Sequence, residues 1–156
     1  MRAFHVVFWA ALTCLVGEAG SAQTADRSIE EIRTETLARS QTGAYPLLGI
    51  QPADAGDALG RIKSRDPDEW AAAWSAVADG YMAKAKAASD PREADANFIK
   101  AWRLYYFGQW PAPTSAGKQA AYQRAIDAYL QHARYFDPPL EVVRIPFEGK
   151  EIVGYL

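Results

Sequence analysis

Two near-identical helix-start signals, Asp66-Pro67-Asp68-Glu69 and Asp90-Pro91-Arg92-Glu93, constrain this chain more than any other feature. The aspartate supplies an N-cap oxygen, and proline at the first helical position costs no hydrogen bond. Acids in the first turn then complement the helix dipole. Behind the first signal, Trp70, Trp74, Val77, Tyr81, Ala85 and Ala88 recur at steps of three and four, one apolar stripe of a helix. Behind the second, Ala94, Phe98, Ala101, Trp102 and Tyr105 form another stripe, and Gly108 reads as the stop. Residues 109–114, with Pro111 and Pro113, make a stiff connection to a third helix capped by Ser115. Tyr122, Ile126, Tyr129, Ala133 and Phe136 carry its apolar face, and Asp137-Pro138-Pro139 ends it. The many alanines of the first helix, among them Ala71, Ala72, Ala73, Ala76 and Ala78, favour helix and permit close helix approach.

Upstream, Ser28 and Glu31 make a capping box for a short helix ending near Arg39, with Ile29, Ile32, Thr36 and Leu37 on one side. Residues 40–60 hold Gly43, Pro46, Gly49, Pro52, Gly56 and Gly60, which is loop chemistry. Tyr45, Leu47, Leu48 and Ile50 are apolar enough to pack that coil down, with a brief helical turn from Asp57 to Lys63. Ala-Tyr-Gln-Arg-Ala at 121–125 has a tetratricopeptide flavour. Helix starts near 67, 91 and 116 do not, however, reproduce a helix pair at a period of about 34 residues.

After the helices the period changes from near 3.6 to 2. Val143, Ile145 and Phe147 alternate onto one face, as a half-buried strand requires, and Ile152, Gly154 and Leu156 alternate on the return. Glu148-Gly149 between them is a two-residue hairpin turn. A two-stranded hairpin alone is marginally stable in water, so this one calls for further strands, from elsewhere in a longer chain or from another chain. The expected fold is therefore mainly α: a three-helix, cap-like bundle followed by a C-terminal β-hairpin that is the incomplete start of a larger sheet.

The first residues read as an address. Arg2 and His5 precede an apolar run from Val6 to Val16, too short to span a bilayer, and Gly20-Ser21-Ala22 offers small residues for a signal peptidase. Ala11-Leu12-Thr13 before Cys14 is a poor lipobox, so cleavage is placed after Ala22 with a periplasmic or secreted destination. Four segments result: a signal at 1–22, a short helix and Gly/Pro-rich coil at 23–65, the helical unit at 66–139 and the hairpin at 140–156. Cys14 leaves with the signal, so the mature chain has no disulfide and no thiolate site. A formal charge of −2 gives no footprint for nucleic acid or an anionic membrane.

Catalytic patterns are sparse. No G-x-S-x-G occurs, hence no nucleophile elbow. His132 reads as a partly exposed histidine near the negative end of a helix dipole, and the acids Asp66, Asp68, Glu69 and Asp90, Glu93, Asp95 sit where helix starts want them. One histidine without cysteine offers no metal-ligand cluster, and no glycine loop cradles phosphate; no cofactor is expected. The stretch from Phe98 to Trp110 is aromatic on more than one face: Trp102 and Tyr105 on the inner stripe, Tyr106, Phe107 and Trp110 needing another surface. Such a helix is covered on two sides, or it walls a pocket or docking face.

The order "FIKAWRLYYFGQWP", "GKQAAYQRAIDAYLQHA" and "LEVVRIPFEGKEIVGYL" resembles the amino-terminal part of a group of α/β-hydrolases, the dihydropseudooxynicotine hydrolase-like and fermentation-respiration switch-like esterases. The match covers about Tyr45 to Leu156, and the hairpin with its Pro-Phe-Glu-Gly turn is its most specific part. The resemblance implies a helical segment capping an active site and a hairpin forming the first two strands of the hydrolase sheet. It also implies serine-hydrolase chemistry on ester-like or carbon–carbon bonds without a metal. The family's serine, acid, histidine and oxyanion-hole donors lie downstream of this hairpin, so no catalytic residue carries over, and His132 is not the triad histidine. Trp102, Tyr105, Tyr106 and Trp110 are similar in placement to cap residues facing a substrate cavity or docking surface. The expectation is a truncated hydrolase, inactive alone, whose partner is a separately encoded core or a small hydrophobic substrate. The alternative is an exported helical binding module presenting an aromatic surface and adding its hairpin to a partner's sheet edge.

Overall fold

A computed structural model describes residues 27–156; the signal segment and its cleavage site lie outside the described residues. Five helices precede the hairpin, against an expected three-helix bundle preceded by one short helix: α1 (Ile29–Thr42), α2 (Pro52–Arg61), α3 (Pro67–Ala87), α4 (Pro91–Gln109) and α5 (Ala116–His132). A 3-10 turn (Ala133–Tyr135) follows, then the antiparallel pair β1 (Val142–Phe147) and β2 (Lys150–Tyr155).

The start signals act as their chemistry requires. The Asp66 carboxylate accepts from the backbone N–H of Asp68 at 2.7 Å and of Glu69 at 3.1 Å, and Asp90 accepts from Arg92 at 3.0 Å. The capping box of α1 forms in both directions between Ser28 and Glu31. The segment read as coil over 40–60 holds α2 instead. Its glycines suggested a loop, yet Pro52 opens a helix whose Ala55, Ala58 and Leu59 are buried, while Gly56 and Gly60 face open space. Burial of one apolar stripe outweighs a glycine penalty of about 1 kcal/mol each. In the preceding loop Leu47 and Ile50 pack down, whereas Tyr45 and Leu48 stay exposed. Gly49 has a φ of +77° and lies against the Arg103 guanidinium, which a Cβ would strike at 2.1 Å.

Helix α4 runs between α3 and α5 and buries Ala101, Leu104, Tyr105 and Phe107. The helix ends at Gln109, one residue past the expected stop, but Gly108 is buried in its last turn and does not take the left-handed conformation of a glycine cap. A Cβ there would meet Trp74 Cβ at 3.3 Å, the Ala71 carbonyl at 3.5 Å and Ala121 Cβ at 3.6 Å, so all three helices meet at this residue. Trp74, fully buried, crosses Phe107 edge-to-face at 4.6 Å, with Trp70 at 5.6 Å from the same ring. The Trp74 indole N–H has no hydrogen-bond partner. Burying such a ring contributes roughly 4–6 kcal/mol, more than the roughly 1–3 kcal/mol lost on an unmet donor.

The apolar face assigned to α5 is corrected except at Ala133, which is buried. Its buried stripe is Ala121, Ala125 and Ala128, packed on α4, while Tyr122, Ile126 and Tyr129 line a neighbouring face. Small side chains allow the axes to approach, and larger ones cannot enter that seam. Ion and hydrogen-bond pairs then join the helices at their rims. The Gly117 N–H donates to Asp68 at 2.8 Å, tying the start of α5 to the start of α3. The Tyr81 hydroxyl donates to Asp54 at 2.9 Å, holding α2 on α3. Burial first, then this carboxylate, push the Tyr81 phenol up to about 12.

The hairpin has the expected turn: Glu148 and Gly149 take φ of 47° and 75°, the pair of positive values of a type I′ turn. Val143 pairs with Gly154, Ile145 with Ile152 and Phe147 with Lys150. The face expected to be half-buried is so only at Val143 and Gly154. Ile145, Phe147 and Ile152 are each more than half exposed, and Val142, Val153 and Tyr155 on the other face are exposed too.

Substituting Gly108→Val should destabilise the bundle by about 1–3 kcal/mol through overpacking, measured by urea unfolding, with Gly108→Ala milder. Asp68 and Glu69 sit below their ordinary values of 3.8 and 4.5. Hydrogen bonds from Ser115 and Gly117 hold the first down, and those from Ser64 and Lys63 the second. A folded pKa below the unfolded one stabilises the fold above about pH 4 and loses that contribution as pH falls through the depressed value. The melting temperature should therefore fall below about pH 4, and Asp68→Asn should flatten that acid limb.

Candidate functional site

The face that α5 leaves out of its alanine seam forms an aromatic groove with α4. Trp102, Tyr106, Tyr122, Ala125, Ile126, Tyr129 and Tyr155 line an open cavity of about 340 Å³. Trp102 and Tyr106 lie one turn apart on α4 and Trp110 caps its end four residues further on, so their rings line one side. Trp102 and Tyr106 centroids are 6.2 Å apart, and Tyr106 and Trp110 also 6.2 Å. From α5, Tyr129 leans on Trp102 at 5.4 Å. The series continues to Tyr45, edge-on to Trp110 at 5.3 Å, and to Tyr155 of β2, edge-on to Tyr129 at 6.4 Å. These separations and tilts suit rings that avoid face-to-face stacking.

Hydroxyl groups gather at the Tyr106 end. Burial, then a hydrogen bond with the Tyr45 hydroxyl and the nearby Tyr122 phenol, push the Tyr106 phenol above its ordinary value of 10.0. It stays a neutral phenol across the physiological range. No charged side chain lines the groove among the described residues.

Of the four aromatic candidates read from the sequence, Trp102 and Tyr106 line this groove and Trp110 extends it. Tyr105 does not belong with them. It is buried against α3, its hydroxyl bonded to Asp79, with the Arg124 guanidinium 5.6 Å over its ring. Burial and the Asp79 carboxylate raise its pKa. Phe107, expected on an outer surface, fills the core beside Trp74. Tyr122, Tyr129 and Tyr155 are the groove residues that sequence reading misplaced or passed over. An aromatic stripe flanking an alanine stripe on α5 was the available signal, since only one of the two can face the tight seam.

His132 is mostly buried, its side chain 14% exposed, and its Nδ1 meets the Asp95 carboxylate while Phe136 packs edge-on at 4.9 Å. Asp95 thus joins the start of α4 to the end of α5 and does more than favour a helix start. Lys118, buried at the start of α5, donates to the Trp110 carbonyl at 2.8 Å; burial lowers its pKa. It satisfies a carbonyl at the end of α4, where a cation is favoured. Among the described residues no cluster of three His, Cys, Asp or Glu side chains is placed to hold a metal ion, and no helix is long and apolar enough to cross a membrane.

No family model matches this chain. Over 110 residues it is 26% identical to a protein of Pyricularia oryzae named Hydrolase ORFZ, an alignment covering 65% of this chain and 26% of that protein. The chain spans about a quarter of the length of this curated relative. The similarity points to a hydrolase-like relative.

Tyr155 brings a ring of the hairpin against Tyr129 of α5. Tyr155→Ala should speed hydrogen exchange of the hairpin amides by about 2- to 10-fold while amides of α3 and α4 are unchanged.

Proposed function

We propose that residues 45–156 are the helical cap and opening hairpin of an α/β-hydrolase, with the aromatic groove as the cap's substrate-facing wall. The catalytic serine, acid and histidine come from further polypeptide, in the same gene or a separately encoded core, and this unit is not catalytic by itself. One observation carries the reading: a hairpin whose two faces both expose large apolar side chains, Ile145, Phe147 and Ile152 on one and Val142, Val153 and Tyr155 on the other. A sheet covered on both faces, as mostly parallel hydrolase-type sheets are, has strands apolar on both, and an antiparallel pair can form its edge. The resemblance of the hairpin and helix segments to esterase caps, and the alignment with a hydrolase-named protein about four times longer than the matched segment, support it as well. Export after removal of residues 1–22, to a periplasmic or secreted location, is part of the same proposal.

A chimera carrying these residues in place of the matching segment of Hydrolase ORFZ should fold and keep the parent's hydrolytic activity. The mature chain alone should hydrolyse p-nitrophenyl esters no faster than a boiled control. Robust turnover by the lone chain, or a folded chimera without activity, would overturn the reading. A second reading, an exported binding module, draws on the unpaired edges of the same hairpin, which suit strand addition by a partner. Size-exclusion chromatography separates them: a discrete, specific oligomer favours the module.

A further inference from the structure

We propose that the groove between α4 and α5 binds a neutral aromatic molecule bearing a hydrogen-bonding oxygen, a phenol or an aryl carbonyl. The ring would lie against Trp102 and Tyr129, and the oxygen would reach the phenol cluster of Tyr106, Tyr122 and Tyr45. The inference rests on the reading of the groove as the cap's substrate-facing wall, and it names the class of molecule that wall accepts.

Three features select this chemistry. The cavity, about 340 Å³, falls within the roughly 300–1,000 Å³ typical of small-molecule sites. Its walls are ring faces and edges set at the offset and edge-on angles that a further ring would continue; Tyr155 from β2 supplies one wall, 6.4 Å from Tyr129. An aliphatic ligand would use none of that geometry. Beside the Trp102 indole N–H the groove's polar groups are phenols, and those of Tyr106 and Tyr122 gather with the Tyr45 hydroxyl at one end. Tyr122 is 40% and Tyr45 65% exposed, and a phenol can both donate to and accept from an incoming oxygen. No carboxylate or cation lines the walls, so a charged ligand would lose hydration without gaining a partner.

The test uses the mature chain and 2-naphthol as probe, with isothermal titration calorimetry as readout. Naphthalene-2-sulfonate, benzyltrimethylammonium and cyclohexanol serve as anionic, cationic and aliphatic comparisons. Saturable 2-naphthol binding, tighter than all three comparisons, is the expected result. Trp102→Ala and Tyr122→Ala should each weaken it by up to about tenfold. Tyr106→Phe should weaken it about 2- to 10-fold, the range of one hydrogen bond. Tyr105→Phe, on the far side of α4, should leave it unchanged. Tyr122 is exposed, so its variant reports on the groove even where Trp102→Ala unfolds, with circular dichroism checking each fold. Failure of the folded chain to bind 2-naphthol, equal binding of cyclohexanol or of either ion, or indifference to Tyr122→Ala would overturn the assignment. An active hydrolase chimera that binds no 2-naphthol removes the ligand class and leaves the hydrolase reading standing. Groove binding by the chain beside an inactive, folded chimera does the reverse.

Discussion

The close crossing of α3, α4 and α5 at Gly108 is the constraint on which the rest of this structure depends. With Trp74, the Ala71 carbonyl and Ala121 all within 3.6 Å of where a side chain would begin, the three helices share one point of contact. That proximity lets Trp74 and Phe107 meet edge-to-face and fill the centre with two large rings. It also fixes which side of α5 turns inward. Ala121, Ala125 and Ala128 are small enough to form the seam, so the tyrosines of that helix are displaced to its flank.

The groove is a consequence of that displacement. Trp102 and Tyr106 on α4 and Tyr122 and Tyr129 on α5 face each other because the tight seam excluded them from the core. On the opposite side of α4, Tyr105 and Asp79 with Arg124 close the rim with charge and hydrogen bonds. One helix therefore separates an uncharged aromatic side from a charged one, and the ring of Tyr155 brings the hairpin to the uncharged side. The hairpin itself adds little to the helical core. Its apolar residues on both faces are the feature that sets it apart from an ordinary surface ribbon.

Much of this was readable in the residues because the signals were local. An aspartate before a proline caps a helix through bonds that span two or three residues, and a turn with Gly149 sets its register within four. Misreadings arose where several elements compete for one surface. Gly56 and Gly60 suggested coil, yet the buried side of α2 outweighed them. Gly108 resembled a helix stop and is a contact point. Tyr122 and Tyr129 resembled core because large apolar side chains usually are, whereas alanine took that place.

By itself the sequence determined where each capped helix begins, where the hairpin turns and that the chain carries no nucleophile elbow. Each of these is written within a few residues of its effect. Tertiary structure alone decided that the α5 core face is alanine, that Tyr105 parts from its aromatic neighbours, and that Asp95 meets His132 across two helices. Those outcomes depend on how closely helix axes approach, a distance set jointly by side chains far apart in the chain.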